Sequence, residues 1–481
     1  MALRVTIENY KSIRHASIDL GPGLNILIGP NGSGKTCLLS ALKFLRDVFQ
    51  VGAARALARQ GGALRTYHHG QSEMSFCFTQ AYGNRTYLRR ARPCQLFWEI
   101  PIAQAGPERL ATITQEELRI TTDVGERQAL LFRLNIRRSG LGSARTRLTL
   151  PPPSELGRDL FTLWASSEAR AAKSQMARRL RTEVVSHRLR RLKNEPDRSC
   201  FPLLAPLDRV THEIYSSFLF LNEYNISPEI ARASTEQLPF AQMAPDGGAV
   251  SEVIDALENK RYHKLEQMPF VEDEYAYALP YFGYRRYHWP YGPYPWRYSF
   301  PPIRRWRRAH QPYQAALDNT NRELAAAVRP ITHVSVEIDP SDGKRFVVFK
   351  AGDEKFYPQE VSDGTVKWLC ILVSLFVPFS KVYLLEEPEN FLHPWMQQRL
   401  IATMREQAKQ NRTIYLLSSH SSTILNAALP EEILIVKQGA QGTEVSAPAD
   451  LESIKQALSE SDFHLGDLWV SGAIGGVPAD E

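Results

Sequence analysis

Gly29-Pro30-Asn31-Gly32-Ser33-Gly34-Lys35-Thr36 is the part of this sequence whose residue types and spacing point most directly to chemistry. It fits G-x-x-x-x-G-K-[ST], a loop whose small residues let backbone N–H groups turn inward around phosphate oxygens. Gly29, Asn31, Gly32 and Gly34 supply the cradle, and the helix that follows points its positive N-terminus at the same charge. Lys35 is placed to reach the β- and γ-phosphates of a nucleotide, and the Thr36 hydroxyl to hold Mg²⁺. The plainer alternative is a glycine-rich turn ahead of a helix. The complete octapeptide, set between a strand and a helix, argues against it.

A second block lies far downstream. Val382-Tyr383-Leu384-Leu385 has the character of a short buried strand, and it ends in Glu386-Glu387-Pro388-Glu389. A carboxylate at such a strand end can hold a metal's water shell, and its neighbour can accept a proton from an attacking water. Glu386 is assigned to the metal and Glu387 to the base; a surface acidic turn is the alternative. After a further strand, Ile414-Tyr415-Leu416-Leu417, comes Ser418-Ser419-His420-Ser421. A lone histidine is more often structural, but His420, just beyond the strand next in sequence, is placed to sense the γ-phosphate.

The elements that must hold these groups alternate as in an α/β fold. Strands are expected at Leu3–Ile7, Ser17–Leu20 and Asn25–Ile28, with more near Ser75–Phe78, Glu117–Thr121 and Leu130–Ile136. From Thr36 onward, Leu38, Leu42, Leu45 and Phe49 recur at helical spacing and make one apolar face. Pro151-Pro152-Pro153 marks a break, and the texture changes until about 330. Strand and helix alternation then returns, with strands expected at His333–Ile338, Arg345–Lys350, Lys381–Leu385, Ile414–Leu417 and Ile433–Lys437. The apolar run Val366 to Phe379, too short for a bilayer, is expected to be a buried helix. Four units follow: 1–154 with the phosphate loop, a basic insertion at 155–330, 331–440 with the acidic strand and His420, and a tail at 441–481.

GPNGSGKT, LLEEPENFLHP and SSH, with Asn9-Tyr10-Lys11-Ser12-Ile13 near the start, resemble the SMC/RecF/OLD branch of ABC ATPases. The resemblance covers roughly 1–80 and 330–481 and not the middle. It implies an α/β, two-lobed ABC-type P-loop NTPase head, here split by a mostly helical insertion, that binds and hydrolyses ATP with Mg²⁺. Val361-Ser362-Asp363-Gly364-Thr365 stands where that branch carries its degenerate signature. Ser362 and Gly364 would then cap the γ-phosphate bound by another protomer, making ATP the glue of a homodimer or higher homo-oligomer. By the same implication Asn390 to His393 lies along the dimer seam, and Gln71 is the counterpart of the metal-contacting glutamine. Two departures stand out. Glu386 replaces the usual aspartate, and Asp363 stands where many members have glycine. Both occur in the branch found beside prokaryotic anti-phage effectors, which the tail Leu465-Gly466-Asp467-Leu468-Trp469 to Gly475-Gly476 also resembles.

Charge is unevenly spread. Residues 168–193 hold nine Lys/Arg against two acids, and 285–308 hold seven arginines and no acid, so the rest of a chain of net charge +6 stands at −8. Such a pattern asks for a polyanionic or acidic partner. The first segment is either a solvated helix face or a contact for phosphate or an acidic protein. In the second, Arg285, Arg286, Trp289, Trp296, Arg297, Arg304, Arg305, Trp306, Arg307 and Arg308 interleave with tyrosines and prolines. They could neutralise phosphates and stack on bases, form a protein hot spot, or pack on their own domain. The five cysteines lack paired spacing, the N-terminus has no signal-peptide character, and a cytoplasmic, membrane-free protein is expected. The last 45 residues offer no DxD nuclease motif, so any nuclease or toxin effector is expected to be a separate chain. The leading expectation is an ATPase of an anti-phage defence system that senses nucleic acid or a phage product. RecF-like DNA maintenance and a non-turnover, ATP-assembled scaffold are the alternatives.

Overall fold

The computed structural model describes residues 3–82, 94–105, 110–124, 127–138, 144–149, 196–200, 221–238, 241–261, 313, 315–377, 381–439, 442–448, 450–460 and 462–475. All of the basic segment 168–193 and of the Arg/aromatic segment 285–308, with every residue singled out there, lies outside the described residues.

Three sheets are built from seventeen described strands. The phosphate loop leaves β3 (Gly23–Ile28), the acidic block ends β14 (Val382–Glu386), and the serine–histidine block ends β15 (Ile414–Ser418). These strands share a six-stranded sheet of order β10-β14-β15-β3-β16-β17, where β10 is Asn222–Tyr224, β16 Ile433–Gly439 and β17 Gly442–Ser446. Every pairing from β10 to β16 is parallel, and only β17 runs antiparallel to its neighbour. A parallel sheet is covered on both faces, and that is why these strands read as nearly unbroken apolar runs. Alternate side chains serve two cores. Leu27, Val382, Leu384, Leu416 and Val436 join one, while Ile26, Ile28, Tyr383, Leu385, Tyr415 and Leu417 join the other.

The first core lies under an eight-stranded antiparallel sheet that begins with β1 (Leu3–Tyr10), β2 (Ile13–Leu20) and β4 (Glu73–Tyr82). Helix α1 (Lys35–Val51) fills the space between the sheets with Leu38, Leu42, Phe44, Leu45 and Phe49. Phe44 is fully buried, its ring 5.5 Å from Tyr10 and 5.7 Å from Phe76. Phe44→Ala is therefore expected to cost about 3–5 kcal/mol, as truncation of a core aromatic does. Urea denaturation followed by circular dichroism would read it as a lower midpoint with an unchanged slope.

Seven further helices, α2 to α8, divide between the cores, α2 and α3 lying against the first. Of these α2 (Ala53–Arg59), α3 (Ala63–Thr66) and α4 (Pro228–Ala231) are short, and α5 (Val250–Glu258) and α6 (Ala316–Ala327) precede the third sheet, β11 (His333–Ile338), β12 (Arg345–Ala351) and β13 (Glu354–Phe356). Helices α4 to α8 contribute to the second core, with α7 (Asp363–Phe376) at its centre and α8 (Pro394–Asn411) beside it. Buried side chains run without a break along α7 from Thr365 to Phe376, which matches the helix expected over the apolar run. Strand β10 and helices α4 to α6 come from the stretch read as an insertion, yet they pack on the sheet and helix that frame the motifs. No helix among the described residues is long and apolar enough to cross a membrane.

Candidate nucleotide site

Register brings the three motifs to one edge. Glu386 pairs with Ser418, and Ser418 with Leu27, so β14, β15 and β3 end side by side. Their next residues, Glu387, Ser419 and Ile28-Gly29, stand at the carboxyl end of a parallel sheet, where open α/β folds bind ligands. Strand β15 lies between the loop strand and the acidic strand, an order that places His420 between the loop and the carboxylates.

The loop has the local geometry that a phosphate cradle needs. Gly34 caps α1 with φ of 105°, in the left-handed region that glycine enters without strain, and a Cβ there would lie 2.2 Å from Thr443 Oγ1. Lys35 is buried, and its Nζ donates to the carbonyls of Gly29 (2.7 Å) and Pro30 (3.0 Å). Burial lowers its proton affinity, while Glu387 raises it. Ser33 Oγ is buried within the loop and has no hydrogen-bond partner among the described residues. Asn31 and Gly32 form the exposed tip.

The Thr36 hydroxyl donates to Glu386 Oε1 at 2.6 Å, across 350 residues of sequence. Two hard oxygen donors thus meet at the mouth of the loop, the donor type that Mg²⁺ takes, with phosphate and water oxygens completing its shell. Among the described residues no group of three or more His, Cys, Asp or Glu could hold a metal by itself. This pair therefore suits a cation that arrives with a nucleotide. Gln71 lies in an exposed turn before β4, where its backbone N–H donates to His68 O (2.9 Å). No described contact joins it to Thr36 or Glu386.

Glu387 has φ of 42°, a left-handed conformation uncommon for a residue with a long side chain. Several bonds enforce it. Its N–H donates to Ser418 O (3.1 Å), its carbonyl accepts from Lys367 Nζ (3.3 Å), and its carboxylate accepts from Asn390 Nδ2 (3.0 Å). Strain that the surroundings over-determine is a mark of functional turns. His420 Nε2 stands 3.8 Å from Glu387 Oε1. Burial first, and then the charge of Lys35, lowers the proton affinity of His420 against the pull of Glu387 and Glu389, which favours the neutral imidazole.

Two contributors had no role assigned from sequence. Glu389 is buried, and its Oε1 accepts from Ser419 Oγ and from the His420 backbone N–H, both at 2.8 Å, which locks the histidine beside the acidic turn. Lys367, on α7, reaches the same turn from the other core. Burial pushes its ammonium down to about 8 against the pull of Glu389 and Glu387. A third acid in an acidic run and a lysine in an apolar helix were the only signals, and neither named its partner.

Ser362 caps α7, its side chain accepting from Thr365 N (3.2 Å), and it is exposed. Gly364 lies against the loop that follows the acidic turn; a Cβ there would sit 2.5 Å from Phe391 O. The signature segment and the loop Asn390 to His393 are therefore in contact within one protomer, and Phe391 itself is exposed.

A family model described as "AAA domain, putative AbiEii toxin, Type IV TA system" matches residues 251–426, and one described as "AAA domain" matches 4–46. "DNA replication and repair protein RecF" of Psychromonas ingrahamii is 48% identical over 42 residues, 9% of this chain and 12% of that one. "Chromosome partition protein Smc" of Methanocaldococcus jannaschii is 32% identical over 68 residues, 14% of this chain and 6% of that one. The chain thus spans only a small part of the length of these relatives. An Smc head domain with an extended coiled coil from Pyrococcus furiosus superposes with a TM-score of 0.42 at 12% identity, over 95% of this chain and 98% of that one.

Proposed function

We propose that this chain, an SMC/RecF-type ABC ATPase by its paired phosphate loop and acidic strand, hydrolyses ATP in composite sites formed between two copies of its head. The observation that carries the reading is the meeting of Thr36 with Glu386, and of Glu387 with His420, at the ends of three adjacent parallel strands. Backbone N–H groups of the loop and the N-terminus of α1 bind the phosphates, and Lys35 leaves its loop carbonyls to meet the terminal ones. Thr36 and Glu386 would hold Mg²⁺, which would neutralise phosphate charge, and Gln71 is the further candidate ligand that the family resemblance implies. Glu387, aimed by its constrained backbone and by Asn390, takes the proton of the attacking water. His420 reports the γ-phosphate to the turn through Glu389. Ser362 and Gly364 of a second copy close over the same phosphate.

The head serves as the ATP-dependent element of an anti-phage defence system, where its dimerisation holds or releases a separate nuclease or toxin. The toxin–antitoxin wording of the family model over 251–426 favours that role. The matches to RecF favour a second one, a DNA repair or maintenance ATPase. ATP hydrolysis by the full chain, with and without duplex DNA across a salt series, tests them. If DNA raises the rate and the effect fades steeply with salt, the basic segments contact phosphates. A rate indifferent to DNA removes the RecF-like role and leaves a protein partner for the Arg/Trp segment. No turnover at all leaves the assembly scaffold.

A further inference from the structure

Arg232 belongs to none of the motifs above, yet its guanidinium grips the loop that leads into α7. Nε donates to Pro358 O (2.8 Å), Nη2 donates to Val361 O (2.8 Å), and Nη1 pairs with the Asp363 carboxylate. A planar fork that satisfies two carbonyls and one carboxylate at once holds them in a fixed relation. The arginine is itself braced, because it follows α4, whose Ala231 packs beside Gly247, and Gly247 in turn lies against Cys370 of α7.

Asp363 is the first residue of α7 and its side chain is half-exposed. For the isolated helix a carboxylate there is favourable, because it answers the positive end of the macrodipole. For a helix whose N-terminus must receive an anionic phosphate it is unfavourable, because it brings like charge to the same place. Glycine at this position would avoid the conflict, and this chain has aspartate. We propose that Arg232 resolves it as a positioning residue: it draws the Asp363 carboxylate aside and neutralises it, so that the N-terminus of α7 can accept the γ-phosphate held by a second copy. The proposal rests on the composite-site reading above and adds to it the residue that makes this signature competent. Arg232 touches no reacting atom. Its effect passes through Asp363.

The test uses the full chain carrying Glu387→Gln, with ATP affinity measured by isothermal titration and ATP-dependent dimerisation by sedimentation velocity over a concentration series. Adding Arg232→Ala is expected to leave ATP affinity and the melting temperature near those of the parent and to weaken the dimer by about tenfold or more. Adding Asp363→Asn to that variant is expected to return dimerisation to within about threefold of the parent. Arg232→Gln, which keeps a donor for the carbonyls but no charge, is expected to fail as Arg232→Ala does, and it serves if the alanine variant does not fold. Arg232→Ala or Arg232→Gln dimerising like the parent overturns the proposal. So does a defect that Asp363→Asn leaves untouched, since Arg232 would then be only a brace for the loop. If the parent itself shows no ATP-dependent dimer, the composite-site reading falls and the role of Arg232 falls with it.

Discussion

Lys35→Ala should weaken ATP binding by about 100-fold or more, close to abolition at ordinary nucleotide concentrations. The Lys35 ammonium is the cation buried within the phosphate loop, held over it by two backbone carbonyls and with Glu387 close enough to favour its charge. In an environment of reduced dielectric a charge-assisted contact to phosphate is worth about 1.5–3 kcal/mol, and the lysine makes more than one with the β- and γ-phosphates. Alanine keeps the helix, so the fold should survive, and a thermal melt without nucleotide should stay near wild type. A second readout follows from the electrostatics. Lys35 is one of the influences that lower the proton affinity of His420, so its removal should raise the histidine's pKa, visible in an NMR titration of the imidazole. An ATP affinity unchanged by Lys35→Ala would mean that the loop does not hold the nucleotide.

Glu387→Gln should leave ATP binding intact and slow hydrolysis by about 10²–10⁴-fold, the range that general-base catalysis contributes. The amide keeps the shape of the side chain and its contact with Asn390 but cannot take a proton from water at neutral pH. Binding should persist because the cradle and the Thr36–Glu386 pair are untouched. With ATP bound and no longer consumed, dimers should accumulate on addition of ATP and Mg²⁺ and disperse on chelation. Single-turnover hydrolysis separates this outcome from slow product release. A rate equal to wild type would move the role of base away from Glu387. The neighbouring substitution Glu386→Gln should behave differently, losing Mg²⁺ dependence and not the proton acceptor alone.

Much of this site could be read along the chain because its parts are contiguous. The octapeptide, the acidic run after an apolar strand and the Ser-Ser-His after the next strand are each local, and each rests on short-range rules of backbone and charge. Their meeting was legible only as an expectation, since 350 residues separate Thr36 from Glu386. The strand expectations near Ser75–Phe78, Glu117–Thr121 and Leu130–Ile136 correspond to longer strands in the structure, β4, β7 (Gln115–Val124) and β8 (Arg127–Arg138). Polar residues at strand ends carry ladder hydrogen bonds as well as apolar ones do, and so hydrophobic pattern marks only part of each strand.

Periodicity and motif spacing by themselves determined that the chain has a phosphate loop, a buried helix over the apolar run from Val366, an acidic strand end and a histidine just beyond the next strand, while the signature before that helix was implied by the family resemblance. Those features depend on residues within a few positions of one another, where local sterics and alternation are decisive. Tertiary structure alone decided the strand order that sets β15 between β14 and β3, and the packing of β10 and α4 to α6 against the site's own framework. It also decided that Glu389 fastens His420, that Lys367 reaches the acidic turn from α7, and that Arg232 answers Asp363 across 131 positions. These are pairings of single charged or polar groups between distant segments. Nothing in a linear pattern marks which carboxylate a given cation will meet, because that choice is made by the packing of the two cores around the sheet.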